Sequence, residues 1–346
     1  MTVTPAHHRT DGGFQNPWPG STVAGFKDLL RWRLIDRVRT KIAPNPPADS
    51  LPRRAPAIVA PRAVPGYRSA TWVGHATVLL QLGNLNVLTD PMWSERASPL
   101  RWLGPRRLAA PGMEFDALPP IDVVLLSHNH YDHLDAPTVK RLAKRFPDAI
   151  WLCPLRLGTL LKSFGVRHVT ERDWWETVDG PGFTATCTPA RHFSARGFGD
   201  RGDTLWCGWT IAADGVRVYF AGDTALHPEF AEIAERSGPF DLVMLPIGAY
   251  EPRWFMESVH MNPDDAIKAY HALTAMDIAK PPCLALHWGT FRLTDEAVEE
   301  PPARFAARWR ENGLPSKSNW TLAVGETRAF SPSSGVRGSS AARGDE

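Results

Sequence analysis

Three histidines and an aspartate fall within six residues of this chain, in Ser127-His128-Asn129-His130-Tyr131-Asp132-His133. Imidazole nitrogens beside a carboxylate oxygen suit zinc first, with iron or manganese as alternatives. The string directly follows an apolar, β-branched run, Ile121-Asp122-Val123-Val124-Leu125-Leu126, of the kind that forms a buried strand. Such a strand delivers the next residues to a sheet edge. His128 and His130, two apart in an extended segment, point to the same side and can grip one cation. Asp132 and His133 lie further round the turn, where a helix starts at Ala136-Pro137-Thr138-Val139-Lys140, and can hold a second. The alternative is a solvated turn that happens to be rich in histidine. Four ligand-type residues packed this tightly behind a hydrophobic strand argue against it.

The elements that must position these groups are legible further along. Strand-like runs precede His192 (Phe183 to Arg191), Asp223 (Val216 to Gly222) and His287 (Cys283 to Leu286). The HxHxDH string resembles that of the metallo-β-lactamase-fold hydrolases, whose pattern asks for three further ligands, a histidine, an aspartate and a last histidine, each after a strand. This chain supplies all three. The resemblance implies an α/β fold, a four-layer αββα sandwich. It also implies two Zn2+ per chain, with Fe or Mn as alternatives. His128, His130 and His192 would bind one metal, Asp132, His133 and His287 the other, and Asp223 would bridge them. His75 and Asp90, in Gly74-His75-Ala76-Thr77 and Leu88-Thr89-Asp90-Pro91, are read as supports or turn residues near the site, Asp90 being the stronger candidate.

Longer strings narrow the branch. Pro189-Ala190-Arg191-His192-Phe193-Ser194-Ala195-Arg196-Gly197, Ile247-Gly248-Ala249-Tyr250-Glu251-Pro252-Arg253-Trp254-Phe255-Met256 and His287-Trp288-Gly289-Thr290-Phe291 resemble the branch containing N-acylphosphatidylethanolamine-hydrolysing phospholipase D. The likeness runs from roughly 65 to 312, and the early Asn16-Pro17-Trp18 also fits. It implies in-line attack of a hydroxide on phosphorus, releasing phosphatidic acid and an N-acylethanolamine. Asp132 would orient the hydroxide, His260 would contact or protonate the leaving group, and Tyr250, Arg253 and Trp254 would touch substrate. A homodimer is also a family expectation. A soluble phosphodiester or a phosphorylated lactone would use the same centre. The long strings argue against a β-lactam or thioester hydrolase, and the full ligand set argues against a non-enzymatic binding module.

Composition sets the outer bounds. With 43% hydrophobic residues over 346 positions the chain can bury a large core. A net charge of +2 and the lack of a basic arm within the domain speak against nucleic acid as a partner. No apolar run is long enough to span a bilayer, and no signal pattern opens the chain. The four scattered cysteines read as buried, reduced thiols. These features suggest a cytoplasmic protein.

Three regions are expected. Residues 1–65 form an arm, 66–330 the hydrolase domain with an insertion at 92–119 that rims the site, and 331–346 a disordered tail. Residues 1–20 are polar and Pro/Gly-rich and look poorly ordered. Phe26, Leu30, Leu34, Val38 and Ile42 then recur at helical spacing among Lys27, Arg31, Arg33, Arg37, Arg39 and Lys41. This helix either packs on the domain with a solvated basic face or lies on an anionic membrane surface. In the second case the protein would sit peripherally on the inner membrane surface. Residues 43–65 are proline-rich and extended. His7, His8, His168, His227 and His271 are assigned to surface or ordinary packing.

Overall fold

Alternation organises the interior. In the run 123–126, Val123 and Leu125 join one buried cluster while Val124 and Leu126 join another. Trp151 and Cys153 likewise part from Leu152. Successive strand side chains face opposite ways, so strands of this kind must be covered on both faces. The computed structural model describes residues 4–332 except 41, 48, 49, 198, 276 and 278. The expected disorder of the tail concerns residues almost wholly outside those described.

Among the described residues, fourteen strands form two sheets of seven. The first contains β1 (Arg68–Gly74), β2 (Thr77–Leu82), β3 (Leu85–Thr89), β4 (Val123–Leu125), β5 (Ile150–Pro154) and β6 (His168–Arg172). The second contains β7 (Thr177–Gly180), β8 (Phe183–Thr188), β9 (Gly208–Ala213), β10 (Val216–Phe220), β11 (Leu242–Pro246), β12 (Cys283–Leu286) and β13 (Asn319–Trp320). The last strand, β14 (Thr327–Ala329), returns to pair with β1, giving the orders β14-β1-β2-β3-β4-β5-β6 and β13-β12-β11-β10-β9-β8-β7. Each sheet is antiparallel on one side and parallel on the other. The change falls at β3 in the first sheet and at β10 in the second.

Helices close the outer faces. Val139 and Leu142 of Ala136–Arg145 and Leu161 of Gly158–Ser163 bury against Val124, Leu126 and Trp151. Across the molecule, Ile233, Tyr270, Phe305 and Trp309 from helices Phe230–Ser237, Pro263–Leu273 and Glu300–Glu311 join the core of the second sheet. The architecture is the four-layer αββα sandwich. Two bonds stitch the sheets beneath the histidine-rich turn: the Trp209 indole donates to Leu126 O (2.8 Å) and Cys207 N to Ser127 O (2.9 Å). All four cysteines are buried and unpaired. Among the described residues no helix is long and apolar enough to cross a membrane.

The arm departs from expectation in two places. Residues 4–20 are not loose: Phe14 is buried in the main core, and its N–H donates to Gly202 O at 2.7 Å. A Pro/Gly-rich composition excludes regular secondary structure, yet one aromatic anchor is enough to fix the path. The helix spans Phe26–Arg31, a π-helical turn Trp32–Asp36 and Arg37–Arg39. It docks through Trp32, whose indole donates to Asp295, while Arg37 pairs with the same carboxylate at 3.2 Å. The predicted apolar row faces outward: Phe26 is 65%, Leu34 67% and Val38 79% exposed.

Candidate metal centre

The cluster is assembled from strand ends. After β4, the N–H groups of His133 and Leu134 both donate to His130 O (3.1 and 2.8 Å), wrapping Asp132 and His133 back over the strand. Asp223 reaches the same point because Gly222 takes φ +61° and has no room for a side chain. A Cβ there would stand 2.6 Å from Ser127 Cβ. His287 follows β12 in a left-handed conformation (φ 60°), its N–H bonded to His75 O at 3.1 Å.

Hydrogen bonds fix which ring nitrogens are free. His192 Nδ1 lies 2.9 Å from Val259 O and His133 Nδ1 2.7 Å from an Asp90 carboxylate oxygen. Both partners accept, so each Nδ1 carries a proton and each Nε2 is the nitrogen left to face a metal; on His192, which is neutral, it presents a lone pair. Ser127 Oγ gives its proton to Asp90 (2.6 Å) and so accepts from His128 Nδ1 (2.8 Å), leaving His128 Nε2 free as well. That nitrogen sits 2.8 Å from His130 Nδ1, which is 3.2 Å from His192 Nε2. Three converging imidazole nitrogens, two with lone pairs exposed, suit a shared cation.

A second group lies alongside. Asp132 Oδ2 is 3.4 Å from both His133 Nε2 and His287 Nε2. Asp223 Oδ2 is 3.0 Å from His287 Nε2 and 3.1 Å from His133 Nε2, and 3.8 and 3.9 Å from His192 and His128 Nε2. It therefore faces both groups. His133 Nε2, His287 Nε2 and Asp223 Oδ1 are buried without a hydrogen-bond partner. The donor set fits metal ions, and all seven residues singled out from the sequence meet here. His75 is drawn in further than sequence suggested: its Nε2 lies 2.8 Å from Asp132 Oδ2, and its ring centroid is 4.0 Å from that of His287. The Gly74-His75-Ala76-Thr77 string had marked it only as a support near the site.

Electrostatics prepares part of the donor set. Burial would raise Asp223 and Asp132, but the neighbouring imidazoles outweigh it and hold both well below the usual carboxylate range. Burial pushes His130 down to about 3 and His192 to about 4, with adjacent imidazoles adding to the effect. His287 moves the other way: the pull of Asp223 and Asp132 overcomes burial and carries it to about 9. Asp132, Asp223, His130 and His192 are thus already in the states a metal ion requires, whereas His287 and His133, which the same two carboxylates also hold well above its ordinary value, would each release a proton on binding.

Asp90 is central among the supports, accepting from Ser127 N, Ser127 Oγ and His133 Nδ1. Removing such a partner typically weakens metal binding 10–100-fold. Asp90→Ala is accordingly expected to lower metal affinity by about 10–100-fold in chelator competition. Wild-type affinity would show that Asp90 does not orient His133.

His260 is buried near the cluster, its ring centroid 4.9 Å from His192 and 5.2 Å from His287, with Nδ1 unpartnered. Burial holds it well below its ordinary pKa, so it is a neutral hydrogen-bonding group and not an acid at neutral pH. Two expected substrate contacts have other partners. Tyr250 is fully buried and its hydroxyl donates to Glu300 (2.9 Å). Arg253 donates to His260 O (3.0 Å) and Asp265 (2.7 Å), fastening the His260 loop to a helix that Asn262 caps. Trp254 is exposed, beneath Arg31 at 4.6 Å. A cavity of about 430 Å³ opens beside His192 and Phe193, walled by Phe14, Asn16, Trp18 and Val23 of the arm. Asn16 donates to His192 O at 2.8 Å. A larger cavity of about 670 Å³, lined by Arg37, Arg106, Arg107 and Arg292, includes none of the cluster residues.

Residues 85–288 match the family described as the beta-lactamase superfamily domain. The chain belongs to this family, the metallo-β-lactamase-fold, metal-dependent hydrolases. Its relatives include the N-acyl-phosphatidylethanolamine-hydrolyzing phospholipase D 1 of Caenorhabditis elegans, 42% identical over 243 residues, or 67% of each chain. The mitochondrial protein of the same activity name from Saccharomyces cerevisiae is 32% identical over 248 residues, 69% of this chain and 52% of that one. Among solved structures, Igni18, a metallo hydrolase of Ignicoccus hospitalis, shares the fold. Its TM-score is 0.56 at 22% identity, over 76% of this chain and 98% of that one.

Proposed function

We propose that this protein is a phospholipase D-type phosphodiesterase that hydrolyses N-acylphosphatidylethanolamine to phosphatidic acid and N-acylethanolamine at a centre of two zinc ions. The position of Asp223 Oδ2 carries the reading, because it faces both ligand groups within 3.0–3.9 Å of four imidazole nitrogens. His128, His130 and His192 hold one ion, Asp132, His133 and His287 the other, and Asp223 is shared. When bound, such a pair supplies a water acidified to a pKa of about 7 and neutralises charge on a phosphate. Water adds to phosphorus as the bond from phosphorus to the ethanolamine oxygen breaks, and that oxygen leaves with a proton. Asp132 orients the incoming water. His260 donates a hydrogen bond to the departing side, held in place by Arg253 on its backbone.

A lipid substrate is supported by the surface. The exposed row Phe26, Leu34 and Val38 is flanked by Lys27, Arg31 and Arg33, as befits a helix lying on an anionic bilayer. From it an apolar path leads inward. Trp32 packs on Phe255 (5.0 Å), Phe255 and Phe193 both pack against the small cluster of Ala249, Met256 and Val259, and Phe193 meets the His130 ring at 4.6 Å. Vesicles carrying N-acylphosphatidylethanolamine, with and without anionic lipid and at varied salt, test both points through sedimentation and mass spectrometry. The expected result is phosphatidic acid plus N-acylethanolamine, lost in His133→Ala, with binding that weakens as salt rises. Intact lipid beside metal-loaded protein would move the substrate to a soluble phosphodiester or lactone. Binding indifferent to anionic lipid would remove the membrane surface from the account.

A further inference from the structure

We propose that His7, His8 and Asp173 form an additional zinc site, apart from the catalytic cluster, that pins the N-terminal arm to the hydrolase domain. Adjacent residues of an extended chain point opposite ways, so two consecutive histidines seldom serve one ligand. Here a turn at Pro5–His8, closed by His8 N donating to Pro5 O (2.9 Å), brings both Nε2 atoms to one carboxylate. His7 Nε2 lies 2.6 Å from Asp173 Oδ1 and His8 Nε2 2.7 Å from Oδ2. Both distances are at or below the short end of ordinary N–H···O bonds.

Each group is held independently of the others. The His7 ring stacks on Trp174 (4.1 Å, 21°), and the His8 ring stands edge-on to Phe14 (5.1 Å, 79°). Asp173 is fixed by Trp174 N, which donates to Oδ1 at 2.8 Å, and by its own N–H donating to Glu176 at 2.8 Å. The ligand atoms all lie within 4.8 Å of one another, as in the catalytic groups. Two imidazoles, a carboxylate and one open position for water are a zinc donor set. The two histidines come from the N-terminal arm and Asp173 from the turn between β6 and β7, 166 positions from His7. An ion between them would clamp the segment whose Phe14 donates to Gly202 O and whose Asn16 holds the backbone of His192. The rival account is a carboxylate accepting two N–H bonds, with no cation.

Counting zinc separates them. Untagged full-length protein, equilibrated in a zinc buffer and desalted, is analysed by mass spectrometry of the metal. His7→Gln/His8→Gln and Asp173→Asn are each expected to carry one equivalent fewer than wild type, however full the catalytic centre is. Equal zinc in all three proteins would overturn the proposal. A second measurement needs no variant: diethyl pyrocarbonate labelling of wild type, mapped by mass spectrometry. Zinc is expected to protect His7 and His8 at least several-fold, and equal labelling with and without zinc would also overturn it.

Discussion

Asp223→Asn is expected to lower turnover of N-acylphosphatidylethanolamine at least ~10³-fold and to reduce zinc content, while leaving the circular dichroism spectrum unchanged. Asparagine keeps the shape of the side chain, and the turn at Gly222 that places it is untouched. What is lost is the charged oxygen that faces His287, His133, His192 and His128 within 3.0–3.9 Å. A neutral amide oxygen cannot neutralise two cations. The expected loss is at the upper end of what one preorganised electrostatic group contributes to a rate. The two readouts guard each other. A drop in rate with zinc intact would mean that Asp223 acts on the reaction without holding metal, and unchanged rate and zinc would remove it from the centre.

His260→Ala is expected to show the opposite pairing: kcat lower by about 10²-fold, within the range for loss of one preorganised hydrogen-bond donor, with zinc unchanged. The ring is buried beside His192 and His287, but its Nδ1 has no protein partner. A group in that position can serve substrate without serving the ions. His260→Gln restores a donor of similar reach and should recover part of the loss in kcat, which a purely space-filling role would not allow. Wild-type kcat in the alanine variant would take His260 out of the reaction.

The cluster was largely legible because its first four residues fall within six positions and the other three each follow a strand-like run. Local pattern was enough for residues 128–133, whereas His192, Asp223 and His287 were found through the family resemblance, which asks for them after strands. Residues whose roles depend on distant segments were harder to read. Arg253 sits in a loop that looks like a substrate wall, yet its guanidinium is committed to Asp265 and the backbone of His260. Tyr250, two residues after a glycine in the same string, is covered by the helix that carries Glu300. Asn16 meets His192 across 176 positions, a distance no periodicity can bridge. The helical spacing is realised over 26–39 and stops short of Ile42, but spacing alone does not say which face docks, and Trp32 decided it. The twofold plan of the sheets left no trace as a sequence repeat, since buried strands need only apolar residues and tolerate many choices among them.

The proposed ligands are divided between the halves of that plan. Residues 128–133 hang from the first sheet, whereas His192, Asp223 and His287 hang from the second. With ions bound, the two halves are joined by coordinate bonds lying just above the Cys207–Ser127 and Trp209–Leu126 hydrogen bonds. Neither half holds a complete centre, so catalytic competence certifies that both have folded and met in the right register. Metal release and the breathing of this seam then become one event: an opening wide enough to expose the Cys207 amide also pulls the ligand set apart, and a chelator would act as a wedge between the sheets.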